Sequence, residues 1–295
     1  MSNRKINFGG GNTWFAEGWD VLDNAPVEYG KSWQYKGKCW DSNLPDDTYD
    51  IVFSSHMLEH VPHFRLEKTI AEFNRIMRVG GTLRILVPSL RHAAEAYVNN
   101  DVSYFSGSRH YSDHMGIGAS FLRLLISPGG QTLAISREMD EILGGYAHLY
   151  AFDYKMLSTV LEKWGFEVKE SEVGKSEVEE LRDYQHVMCD GKRYEMDDPF
   201  VKKKGYLAKD VNGYASGFDK ASKTQLVVEA KKKVSVPYTF EKQYQFNQNG
   251  QFDSPIDKIK LIIVRIVFRL VDFAYIVAKR VGLTKLVKWI IKSKV

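Results

Sequence analysis

The 295 residues are long enough for one large domain with appendages, and a hydrophobic fraction of 44% is ordinary for a chain with a packed core. Two cysteines, Cys39 and Cys189, exclude a disulfide framework, and with no signal-peptide pattern they place the chain in the cytoplasm as an expectation. The net charge of +4 is unevenly spread: from Pro255 onward ten Lys and Arg stand against Asp257 and Asp272, a net +8, which leaves the body mildly acidic.

In chain order, "KINFG" (5–9) is a short apolar run ending in glycine, and "WDVLD" (19–23) is a second one ending in an acid. "YDIVFSS" (49–55) has the Val, Ile and Phe content of a buried strand. "LEKTIAEFNRIM" (66–77) carries apolar residues at 66, 70, 73, 76 and 77, the spacing of an amphipathic helix, and Gly80 and Gly81 of "RVGG" read as its stop. "TLRILVP" (82–88) is another strand, closed by Pro88. Residues 100–147 are irregular and read as an insertion over one end of the sheet. The pattern resumes with a helix, a stop at Gly165 and a strand over 154–173, and "TQLVVEAKK" (224–232) is a late strand. Strands alternating with helices predict an α/β fold with a mostly parallel sheet. The domain is expected over 1–235, a linker over 236–254 and a basic tail over 255–295.

"NFGGGN" (7–12) follows directly on the first strand. Glycines there allow a ligand to approach the backbone, as nucleotide-binding turns require, although three glycines after a strand also make a plain turn. Asp23 ends the second strand, where an acid can accept hydrogen bonds from both ribose hydroxyls. Its distance from the glycines is shorter than the roughly 20 residues of a dinucleotide fingerprint, which argues against NAD. Asp41 in "CWDSNLPDD" is either a turn aspartate or an acceptor for an adenine amino group, with Trp40 beside it to stack on the ring. Glycine turn and both acids fall at the carboxyl ends of expected parallel strands, where open α/β sheets bind ligands.

These stretches resemble the class I S-adenosylmethionine-dependent methyltransferases, specifically the type 11 group. The resemblance is carried by "INFGGGNTWFAEGWDVLD" (6–23), "LPDDTYDIVFSSHMLEHV" (44–61), "AEFNRIMRVGGTLRILVPSL" (71–90), "YAFDYKMLSTVLEKWGF" (150–166) and "LVVEAKK" (226–232). Met77 and Arg78 stand where the group usually has Leu and Val, and "RVGG" replaces its more frequent "KPGG". The resemblance implies a Rossmann-like sheet of seven strands, helices on both faces and the last strand antiparallel. It implies S-adenosyl-L-methionine as cofactor. Gly9 and Gly11 would lie against the methionine part, with Gly10 between them in the same cofactor-binding turn, Asp23 would bind ribose, and Asp41, with Trp40 beside it, would take the adenine. Ser54, Ser55 and His56 would line the cofactor near its sulfonium.

"HMLEH" (56–60) also spells H-x-x-E-H, a zinc-peptidase signature. That signature needs a long helix, whereas this segment follows directly on a strand and Pro62 closes it after about one turn. No metal ligand is therefore expected, and Glu59 and His60 are expected to pack or hydrogen-bond beneath the cofactor loop.

Methyl transfer asks the protein for alignment, a dry site and sometimes a base. His110, His114 and His148 fall in or beside the insertion, and His148, just before the resumed helix, is the first candidate base; each also reads as a loop histidine. In the tail, Lys258, Arg265, Arg269, Asp272 and Lys279 share one helical stripe, with Lys285, Lys288 and Lys292 continuing it in a second helix. Charges interrupt every window long enough to span a bilayer, so the tail over 256–295 reads as an interfacial helix on an anionic membrane surface. Packing back on the domain or a dimer contact are its alternatives, and nucleic acid is disfavoured by the acidic body. The sequence thus predicts an O-methyltransferase for a sugar, glycolipid or lipid-linked acceptor, peripheral on the inner face of the membrane. The rival readings are a soluble small-molecule methyltransferase with a dimerising tail and a non-catalytic scaffold.

Overall fold

The computed structural model describes residues 3–11, 14–24, 34–106, 116–126, 148–196, 198–199, 201, 213–219 and 224–238. His110, His114, much of the insertion and the whole tail lie outside the described residues. Seven strands form the main sheet: β1 (Lys5–Phe8), β2 (Trp19–Asp23), β3 (Gln34–Lys36), β4 (Tyr49–Ser55), β5 (Met77–Pro88), β6 (Phe166–Ser171) and β10 (Gln225–Lys232). Their order is β3-β2-β1-β4-β5-β10-β6. β1 runs parallel to β2 and β4, β2 to β3 and β4 to β5, whereas β10 is antiparallel to both β5 and β6. This is the mostly parallel seven-stranded sheet with a reversed last-formed strand that the resemblance implies. A smaller sheet, β8-β7-β9, is made of β7 (His186–Cys189), β8 (Lys192–Glu195) and β9 (Tyr214–Ser216).

Alternation along the central strands divides the core. Ile6, Phe8, Val52, Leu83, Ile85, Val87, Leu226 and Val228 face one way, into a cluster shared with α1 (His63–Ile76) and α5 (Tyr154–Lys163). α1 buries Leu66, Ile70, Phe73 and Ile76, an i, i+4, i+7, i+10 stripe that matches its apolar spacing. Asp153 caps α5, its carboxylate accepting from the Met156 N–H at 2.7 Å. The opposite side of the sheet presents Val21, Ile51, Phe53, Leu86 and Val227, and here Trp14, Ala215 and Phe218, from beside and within the small sheet, complete the packing. Phe218 is the hub, with its ring 4.8 Å from Trp19, 5.1 Å from Phe53 and 5.8 Å from Trp14.

The same side holds a fully buried charge network. Arg84 donates to Asp219 (Nε to Oδ1, 3.0 Å) and Glu229 (Nη1 to Oε2, 3.0 Å), all three being at most 2% exposed. Removing one partner of a buried pair leaves an uncompensated charge in a poorly polarisable interior. Asp219→Ala is therefore expected to cost about 3 kcal/mol, read as a lower midpoint in urea unfolding.

One sequence expectation is corrected. Gly80 and Gly81 do not terminate the helix: α1 ends at Ile76, Met77 is already extended, and the glycines lie inside β5. There the β4–β5 register jumps from Tyr49 opposite Met77 to Ile51 opposite Thr82, so the glycines belong to a bulge. Gly80 has φ +88°, a conformation that suits glycine at such a kink. After β10 the chain stays on the domain as far as Tyr238, whose ring stacks on Trp164 at 5.3 Å. α2 (Leu90–Val98), just before the insertion, shares a satellite cluster around Ala93, Phe105 and Leu125 with α3 (Val102–Ser106) and α4 (Gly116–Leu125) inside it. Among the described residues no helix is long and apolar enough to cross a membrane.

Candidate functional site

The carboxyl ends of β1, β2 and β4 meet at one edge, because these strands are parallel and in register. β1 runs into the glycine turn. The Gly9 N–H donates to the Leu22 carbonyl at 2.8 Å and the Gly11 N–H to Asp23 Oδ2 at 2.7 Å, so the turn is tied to the end of β2. From the other side the Gly37 N–H donates to the Asp23 carbonyl at 3.0 Å. Gly9 has φ +82°, and a Cβ there would sit 2.6 Å from Met57 Cγ, so the position admits only glycine. The turn leaves backbone, rather than side chain, against the cleft.

That cleft is bordered by Gly9, Leu22, Asp23, Trp40, His56 and Met57, with His60 and Val61 continuing its wall. Four residues expected from the sequence, Gly9, Asp23, Trp40 and His56, are thus brought together, and Gly11 joins them through its bond to Asp23. Trp40 is 7% exposed and packs in the main core. Asp41 is exposed in a turn, its N–H donating to the Lys38 carbonyl at 2.9 Å, and it does not border the cleft. Gly10 lies behind the turn, against Val21 and Asn7. Ser54 and Ser55 end β4, and their hydroxyls are buried with no hydrogen-bond partner. Lys38, Cys39, Met57 and His60 also border the cleft. Burial pushes the Cys39 thiol up to about 12, so it stays protonated and serves as an apolar wall. The signal that could have found Met57 and His60 is their place in the same turn as His56.

That turn bears the most unusual electrostatics of the region. His56 takes φ +53°, uncommon for a residue other than glycine, with its N–H on the Leu86 carbonyl at 2.8 Å. The left-handed kink stops β4 and starts a single 3-10 turn, Leu58–His60. Glu59 is wholly buried at its centre. Its Oε1 lies 3.1 Å from His56 Nδ1 and 4.0 Å from His148 Nε2, and the His60 and His148 rings meet edge-to-face at 4.9 Å. The His56 contact is close enough for an ion pair but is not a well-directed hydrogen bond. Burial raises the Glu59 carboxyl, but His56, together with the nearby His60 and His148, outweighs it and holds the group below its usual range. His148 donates Nδ1–H to the Leu124 carbonyl at 2.8 Å, and the Leu149 N–H donates to the Glu59 carbonyl at 2.8 Å. Two segments almost 90 residues apart are thereby joined into one cluster.

Comparison with known proteins adds to this geometry. Residues 22–85 match the family model described as a methyltransferase domain, Methyltransf_11. Among solved structures, a methyltransferase from Thermotoga maritima, described as a possible histamine N-methyltransferase, is 13% identical; the match covers 79% of this chain and 83% of that one, with TM-score 0.37. A methyltransferase from Archaeoglobus fulgidus is 16% identical over 78% and 86% of the two chains, with TM-score 0.39. The CurJ carbon methyltransferase is 11% identical, with 79% of this chain covering 49% of that one and TM-score 0.39. No curated protein matches the chain. The cleft has backbone at Gly9, where no side chain fits, and the Asp23 carboxylate tied to Gly11 on its border. Residues 22–85, from the end of β2 into β5, thus match a methyltransferase domain of the type 11 group, a match that implies S-adenosylmethionine as cofactor, and the reversed strand stands between β5 and β6.

Proposed function

We propose that this methyltransferase acts on a hydroxyl oxygen of a sugar, glycolipid or lipid-linked acceptor, brought to it at an anionic membrane surface by the basic tail. S-adenosylmethionine, when bound, supplies a methyl group on a sulfonium that leaves readily. The glycine turn, Asp23 and Trp40 would hold it, the acid accepting from the ribose and the indole walling the cleft. The observation that supports an oxygen acceptor is the cluster of Glu59, His60 and His148 beside that cleft. An alcohol is a poor nucleophile until its proton is drawn away, whereas thiolates and free amines need less help. A buried carboxylate ringed by imidazoles favours that proton loss. His148, the base expected from sequence, acts here as a member of a cluster rather than as a lone imidazole. The ten basic residues of the tail support the membrane part of the reading.

The test is transfer of isotope-labelled methyl from S-adenosylmethionine to lipid-linked sugars in anionic vesicles, with the product analysed by mass spectrometry. A methyl ether is expected, and His148→Ala should lower kcat by about 100-fold. Label on carbon or nitrogen, or an unchanged kcat in the variant, contradicts the reading.

A further inference from the structure

We propose that Glu59, His60 and His148 hold a divalent transition-metal ion, which in turn coordinates the acceptor's oxygen. The inference rests on the methyl-transfer reading for the ion's role, though not for its binding. One ligand atom from each residue lies within 4.8 Å of the other two. Metal–nitrogen and metal–oxygen bonds of about 2.0–2.2 Å place neighbouring donors roughly 3–3.5 Å apart, so small side-chain rotations would close the set. The linear motif pointed elsewhere: in a zinc peptidase both histidines of H-x-x-E-H would ligate from one long helix. Here the kink at His56 and the 3-10 turn after it set Glu59 and His60 against His148 of a distant segment.

Three features fit a metal better than a passive polar cluster. Glu59 is fully buried, and His56 and His148 approach only its Oε1, leaving Oε2 with no hydrogen-bond partner among the described residues. A carboxylate in that setting is costly unless a cation compensates it. The Leu124 carbonyl can only accept, so His148 Nδ1 donates to it, and this bond turns the ring so that Nε2 lies toward Glu59 Oε1, 4.0 Å away. A metal-binding histidine is ordinarily oriented by such a bond from its other nitrogen. The Leu149–Glu59 backbone bond holds the two donor segments together without help from the side chains.

Two imidazoles and one carboxylate are the donor set of open metal sites, which keep coordination positions for water or substrate. His60 is both a ligand and part of the cleft wall. Open positions beside it would receive the acceptor. A coordinated hydroxyl is more acidic, so its proton passes to solvent near neutral pH and the oxygen stays on the ion as the nucleophile. The donors suit zinc, manganese(II) or iron(II) and disfavour calcium and magnesium, which prefer all-oxygen shells.

The experiment uses tag-free, full-length protein freed of metal by a chelator and then dialysed. Zinc and cobalt(II) are titrated in by calorimetry and by visible absorption, and S-adenosylmethionine binding is measured on the same samples. One equivalent per chain is expected, with cobalt d–d bands showing nitrogen ligation, and at least a tenfold loss of affinity in His148→Ala and separately in His60→Ala. Circular dichroism identifies any variant that fails to fold, in which case the other carries the test. No stoichiometric binding by the wild type, or wild-type affinity in both folded variants, overturns the site. Cofactor binding without metal binding sinks only this inference. Metal binding without cofactor binding keeps the site and overturns the methyl-transfer role.

Discussion

Glu59→Gln is expected to lower stability by about 3 kcal/mol at pH 7, because it removes the buried carboxylate that three half-buried imidazoles face. The pH dependence separates this from a simple packing loss. An unfolded glutamate titrates near 4.5, and the folded Glu59 carboxyl lies below that value. A depressed folded value means that the carboxylate's contribution is full above about pH 4.5 and is lost as pH falls through the folded value. The wild type should therefore lose stability on acidification more steeply than the variant. Urea unfolding at pH 7 and at about pH 3.5 measures both gaps, and the gap at low pH should be the smaller. Equal gaps at the two pH values would mean that the charge of Glu59 does not matter to the fold.

Gly9→Val is expected to remove cofactor binding while leaving the sheet intact. A β-branched side chain at φ +82° is strained, and its Cβ would lie 2.6 Å and 2.7 Å from Met57 Cγ and Cβ. Met57 begins the turn that carries Glu59 and His60, so relieving the clash shifts the cleft wall rather than the core. A loss of at least 100-fold in affinity for S-adenosylmethionine should accompany a near-native far-UV spectrum. Gly10→Ala is a poor control, since its Cβ would meet Val21 at 2.9 Å.

The long elements were legible in the sequence because each has one dominant signal. The Val, Ile and Phe runs of β4 and β10 and the 3.6-residue stripe of α1 fix those elements locally. β3 and β9 have three residues each, too few for periodicity, and exist only because a neighbouring strand supplies their partners. The glycine pair 80–81 was misread because a bulge and a helix stop both call for a residue that tolerates positive φ. At the site, Gly9 and Asp23 were legible because a turn after a strand and an acid ending the next are local patterns. Asp41 was placed near the adenine on the same logic, but the turn that bridges Lys38 and Asp41 leaves it exposed at the surface. The gathering of His148 with Glu59 and His60 was not readable at all. It depends on a long-range backbone bond, and no spacing in the sequence encodes that.

The most direct test of a methyltransferase reading is calorimetric titration of the full-length chain with S-adenosylmethionine and S-adenosylhomocysteine, beside Gly9→Val. The account predicts micromolar binding of both ligands at one site per wild-type chain and no measurable heat in the variant. Absence of binding to the wild type would contradict it and leave a methyltransferase fold put to some other use.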